Sequence, residues 1–238
     1  MGPIKAAVYD ALIMFLWMFC VSTVGIFTPL IATAINVNGF APNVLITIGL
    51  IASLIFIFSI ICDALGGASF NPTGTAAFYA SGYGGGTLLS MALRFPAQAL
   101  GAAGGVLAIM EFTPPQYKHM LGGPSLKVDA HTGAIAEGLL TFLITFTVLW
   151  IIIKGPRNSV IQAWLLAACT VAFVIAGTGY TGPSMNPANA FGWAYIHNRH
   201  NTWEHFYVYW ISPFIGAVMA SWLFRIIFPP PAAKVKKA

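Results

Sequence analysis

Apolar residues run along this chain in long stretches, separated by short polar or Gly- and Pro-rich gaps. A bilayer core is about 30 Å thick, and a helix needs about 20 apolar residues to cross it. Six stretches meet that length: roughly residues 8–33, 43–61, 88–110, 133–153, 160–177 and 206–228. Trp203, Tyr207, Tyr209 and Trp210 gather at the start of the last one, as an interfacial aromatic belt does. Two further apolar segments, about 71–80 and 186–195, are too short to span. At 1.5 Å per residue each makes about 15 Å of helix, half the core.

The two short segments also expose an internal repeat. Ala68-Ser69-Phe70-Asn71-Pro72-Thr73 echoes Pro183-Ser184-Met185-Asn186-Pro187-Ala188, close to half the chain further on. Each half is ordered span, span, half-helix, span. Three spans per half is an odd number, so the second half is inserted upside down. Paired interruptions in two inverted halves point to a site at the membrane midplane. The expected fold is an all-α membrane protein, with six transmembrane helices and two re-entrant half-helices in an inverted repeat. One domain covers 1–238: repeat one about 1–110, repeat two about 131–228, and a basic tail, 229–238.

Composition supports lipid as the solvent. Hydrophobic residues make up 58% of the chain and charged residues 7%, against about 25% charged in soluble domains. The net charge of +5 suggests no nucleic-acid partner, because the basic residues sit at the ends of apolar runs. There they mark topology. With a cytosolic N-terminus, that side receives Lys5, Arg94, Lys154, Arg157, Arg225, Lys234, Lys236 and Lys237, and the other side only Lys118, Lys127 and Arg199. Both termini are therefore expected in the cytosol. The run after Lys5 is too long for a cleaved signal and is expected to be a retained span. Lys234 and Lys236 stand five and three residues from the C-terminal end. That spacing fits a KxKxx retrieval signal for the endoplasmic reticulum, or an ordinary positive-inside tail. Cys20, Cys62 and Cys169 form no pair or metal-ligand spacing.

The chemistry lies in the Asn-Pro pairs. Asn is a preferred N-cap and Pro suits the first helical position, so each pair starts a helix inside the membrane. Non-helical backbone at that depth is tolerated only where it is buried or lines a wet cavity. Each helix N-terminus carries roughly half a positive charge. Two such ends meeting from opposite faces oppose cations and protons. Their Asn amides can donate to one water at a time, a way to conduct a neutral molecule and block ions.

Asn71-Pro72-Thr73 and Asn186-Pro187-Ala188 resemble the twin Asn-Pro-Ala boxes of the aquaporin superfamily. Pro96-Ala97-Gln98-Ala99-Leu100-Gly101-Ala102, Ala136-Glu137, and Tyr209-Trp210 with Pro213, Gly216 and Ala217 are similar to its third, fourth and sixth spans. Thr73, the lysine tail and Gly122-Gly123-Pro124-Ser125-Leu126 resemble the plant small basic intrinsic proteins. The resemblance implies a homotetramer with one pore per subunit, residence in the endoplasmic reticulum, and no cofactor. It implies a selectivity constriction at Ile51, Val174, Pro183 and Asn189. Many aquaporins place an aromatic, a His and an Arg there, and this chain has none of the three. It also implies that Asp10 and Glu137 hold the loops carrying the half-helices. A proton relay is the rival role for these carboxylates, but no chain of titratable groups crosses the sequence.

The remaining motifs have plain expectations. His119, His131, His197, His200 and His205 are expected as solvated loop histidines rather than a metal site, with His131 a candidate pH sensor. Asp63 is expected at a solvated span end. Gly82-Tyr83-Gly84-Gly85-Gly86 lacks the context of a phosphate loop. The expected function is a passive channel for water, with small neutral solutes as alternative cargo. A poorly conducting membrane scaffold is the rival from another class. No nucleophile–base pair or metal cluster suggests an enzyme or a bound metal.

Overall fold

The computed structural model describes residues 1–231. Lys234 and Lys236 of the possible retrieval signal lie outside the described residues. Among those described, six helical stretches are long and apolar enough to cross a membrane. The first combines α1 (Pro3–Val21) and α2 (Val24–Ala34). The next four are α3 (Phe40–Ala64), α5 (Leu88–Phe112), α6 (Ala130–Ile153) and α7 (Ser159–Gly177). The sixth runs from Trp203 to Ile227 through α9 (Trp203–Phe206), a π-helical turn and α10 (Ser212–Ile227). The half-helices are α4 (Pro72–Ser81) and α8 (Pro187–Ile196).

Two spans depart from the expected regular helix. The first begins at Pro3, earlier than expected, and breaks for one turn at Ser22 and Thr23. Their hydroxyls donate to the carbonyls of Met18 and Cys20 at 2.7 and 2.6 Å, competing with the helical ladder. The last carries its π-helical turn at Tyr207–Ile211, just before Pro213. Proline has no N–H for the carbonyl one turn back, and a wider turn absorbs that loss.

The repeats interlock by a symmetric exchange. Within each repeat the first and third spans pack most closely, α1 on α5 and α6 on α10. Glycines allow this. A Cβ on Gly101 would overlap the Ala11 backbone, and one on Gly216 would overlap the Gly138 backbone. Small residues at such crossings let helices approach without side chains between them. Each half-helix then packs on the third span of the other repeat, α4 on α10 and α8 on α5. One core cluster joins Ile13, Met14, Trp17 and Phe58 of repeat one to Ala188 and Trp193 of repeat two. Outward faces carry exposed Leu100, Phe112, Ile135 and Ile226, an apolar surface suited to lipid rather than water.

Candidate functional site: two facing Asn-Pro boxes

Asn71 and Asn186 are the N-caps of α4 and α8, both in extended backbone conformation. Asn71 Oδ1 accepts from the Thr73 backbone N–H at 3.0 Å, and Asn186 Oδ1 from that of Ala188 at 3.2 Å. These bonds satisfy N–H groups that a helix start would leave unpaired. Because each oxygen faces its own helix, each NH2 group must point away from it.

The amides reach across to the opposite repeat. Asn71 Nδ2 donates to the Met185 carbonyl at 3.2 Å, and Asn186 Nδ2 donates to the Phe70 carbonyl at 2.8 Å. Met185 and Phe70 are the residues just before Asn186 and Asn71. Each box is thus tied to the loop entering the other. An Asn amide has two N–H donors, so one on each remains to meet a molecule between them. The helix ends also bring two positive partial charges to this point.

Thr73 ties the first box to the second repeat. It is 1% exposed, and its hydroxyl lies 2.7 Å from Asn71 Oδ1 and 3.2 Å from the Met185 carbonyl. The hydroxyl has one proton to share between these acceptors. It turns into the junction of the repeats. In the second box, Asn186 Oδ1 instead takes a second, longer bond from the Asn189 backbone N–H at 3.4 Å.

The entry loops are fixed by buried carboxylates. Asp10 and Glu137 are both fully buried. Asp10 Oδ1 accepts from the Ser69 N–H at 2.8 Å. Glu137 accepts from the N–H groups of Ser184 and Met185 at 2.8 and 3.1 Å. Met185 holds a positive φ of 50°, a left-handed conformation costly for an unbranched side chain and sustained only by its surroundings. Tyr209 adds a bond from its hydroxyl to the Thr181 carbonyl at 2.9 Å. Trp17 stacks on Phe70 with ring centroids 4.3 Å apart.

One expectation is extended and one needs correction. Arg94 does more than mark topology. It lies in α5, and its guanidinium donates to both Asp10 oxygens at 2.6 and 2.8 Å. Gln98 donates to Asp10 Oδ2 at 2.5 Å. A signal existed: Arg94 and Gln98 are four apart, so they share one helix face, and Asp10 was the in-span carboxylate needing a partner. His205 is buried rather than solvated, and His200 is half-buried. His205 is 6% exposed and packs on Phe191 and Tyr209. His200 packs on Phe191 and Tyr195. Nothing in the apolar pattern foretold this cluster, because chain segments around α8 and α9 assemble it.

The four residues expected at a constriction come from α3, α7, the loop before the second box and α8. Ile51 is half-buried on α3, which packs on α7, where Val174 is exposed. Pro183 is buried beside Gly177. Asn189 follows the second box on α8, with its side-chain oxygen shielded and unpartnered. Asp63 is exposed, and His131 lies at the start of α6 beside the Tyr207 hydroxyl at 3.3 Å. Cys20, Cys62 and Cys169 are free thiols.

Comparison with known proteins agrees with this geometry. Residues 4–224 match the family model described as Major intrinsic protein. The chain is 60% identical to Aquaporin SIP1-2 of Zea mays over 237 residues, 99% of this chain and 98% of that one. It is 57% identical to Aquaporin SIP1-1 of Arabidopsis thaliana over 240 residues, 100% of this chain and 98% of that one. Among solved structures, the aquaglyceroporin from Plasmodium falciparum superposes with a TM-score of 0.72 over 96% of this chain and 98% of its own, at 16% identity. That last likeness concerns the fold alone.

Proposed function

The chain belongs to the major intrinsic protein family of aquaporin channels, and from that premise we propose that it is a passive water channel of the endoplasmic reticulum membrane. The carrying observation is the pair of amide bonds across the repeats, Asn71 to Met185 and Asn186 to Phe70. They hold two donors and two helix N-termini at one point. A passing water accepts from both amides, and its own hydrogens are turned away from that point. It then cannot relay a proton along the file, while the facing dipoles repel cations. Asp10 and Glu137 act as loop anchors in this reading, not as a relay.

Ile51, Val174, Pro183 and Asn189 form the selectivity constriction. An arginine there would supply fixed charge and several donors, whereas Asn189 supplies a neutral amide beside apolar Ile51 and Val174. The ion barrier therefore falls mainly on the central boxes. The same neutral wall favours small neutral solutes, hydrogen peroxide, glycerol or urea, as second cargo. The functional unit is a homotetramer with one pore per subunit. Both termini face the cytosol, which presents Lys234 and Lys236 to the retrieval machinery.

The test is an osmotic step on liposomes carrying the purified tetramer. Faster shrinkage than empty vesicles is expected, and equal rates with intact tetramers overturn the water reading. Uptake of the three solutes in the same vesicles separates the second cargo from the first. Asn186→Asp should admit cations or close the pore. Proton exclusion unchanged in that variant would refute the electrostatic account.

A further inference from the structure

The third spans of the two repeats do not close on each other along their full length. α5 and α10 approach through Phe95 and Phe214, whose ring centroids lie 5.2 Å apart. Beyond that pair, toward the end of α10, a cleft of about 590 Å³ opens between them. Its floor is α4, through Ala76 and Ala80, and its walls are Met91 of α5 with Val218 and Trp222 of α10. α4 packs on α10 and also touches α5, so it lies between the two spans at the base of the cleft.

Length and charge together select an occupant. From Phe214 to Arg225, α10 rises about 16 Å at 1.5 Å per residue. One leaflet of a core about 30 Å thick is about 15 Å deep. The cleft therefore runs from the midplane to the interface, the reach of one acyl chain. At its outer end Arg225 lines the opening and is exposed, with its guanidinium against Gly82 at the end of α4. Among the described residues the salt bridge is Arg94 with Asp10, so no acidic side chain neutralises Arg225. All six acidic side chains of the chain lie among the described residues.

We propose that the α4–α5–α10 cleft binds one anionic phospholipid per subunit, with an acyl chain between Phe214 and Trp222 and the headgroup phosphate on Arg225. The lipid packs against the half-helix that Asn71 caps, so it braces the first box from the membrane side. A juxtamembrane arginine favours an anionic headgroup by about fivefold.

Native mass spectrometry of the purified full-length protein tests this, after incubation with equal amounts of phosphatidylglycerol and phosphatidylcholine of the same chains. Wild type should retain one lipid per subunit, the anionic one in about fivefold excess. Arg225→Gln should keep a lipid but lose the excess. Val218→Trp should fill the cleft and retain none. Equal retention of the two lipids by wild type overturns the proposal without any variant. So does an excess that survives Arg225→Gln, or a lipid that survives Val218→Trp. Thermal stabilisation by inorganic phosphate equal to that by the lipid would mark a bare anion site and would also overturn it. None of these measurements involves permeation, so failure of the channel reading leaves this result legible.

Discussion

In the first repeat the loop-holding carboxylate sits in a charged network, and in the second it does not. Asp10 is shared by Arg94, Gln98 and the Ser69 N–H, and Arg94 also donates to the Gly67 carbonyl at 3.2 Å. Glu137, at the matching place, meets the backbone N–H groups of Ser184 and Met185, with no cation beside it among the described residues. The second loop compensates through backbone: Met185 in a left-handed turn offers its carbonyl to both Asn71 and Thr73. The boxes are symmetric in task and unsymmetric in support. A buried ion pair holds by charge and collapses if one member goes, whereas a carboxylate on backbone donors holds by geometry.

The largest test of that difference is Arg94→Gln. It leaves Asp10 buried without its cation, and the cost should be about 3–5 kcal/mol, read as a lower midpoint in thermal unfolding of the detergent-solubilised protein. Arg94→Gln combined with Asp10→Asn should recover part of the loss. Purely additive losses would show that the two residues act independently. Next comes Glu137→Gln, which keeps one acceptor oxygen but sets an NH2 against a backbone N–H. The expected cost is about 1–3 kcal/mol, smaller than for Arg94→Gln. An equal or larger loss would reverse the comparison.

Thr73→Val removes the hydroxyl bonds at nearly constant shape. It should cost about 1 kcal/mol and slow water flux, and Thr73→Ser should restore both. Val and Ser behaving alike would make Thr73 a filler. The smallest effect is expected from Tyr209→Phe, which frees the Thr181 carbonyl. A loss of about 0.5–1.5 kcal/mol is expected, with permeation per folded protein unchanged.

The sequence already carried the architecture because its signals are local or periodic. Six apolar runs of spanning length become the six spans, with ends moved by a few residues. The Asn-Pro pairs become N-capped half-helices because capping chemistry depends on three consecutive residues. Asp10 and Glu137 stood out because charge in an apolar run is rare. What packs around each lies beyond any local pattern. Arg94 was read only as a topology marker; the i, i+4 spacing with Gln98 hinted at a shared face, but the partner, Asp10, is 84 positions away and only the fold brings it there. His200 and His205 were taken for solvated because the aromatic ring they bury against comes from α8.

Only the tertiary structure decided which way Thr73 turns, which carbonyls the two amides grip, and where a cleft opens between α5 and α10 over α4. Those outcomes depend on how two inverted halves meet, a three-dimensional arrangement set by helix crossings at Gly101 and Gly216. Lipid length and helix capping fix elements one at a time from the chain. The orientation of a buried hydroxyl or guanidinium is fixed by the nearest unsatisfied acceptor, and folding chooses that neighbour from the far side of the sequence.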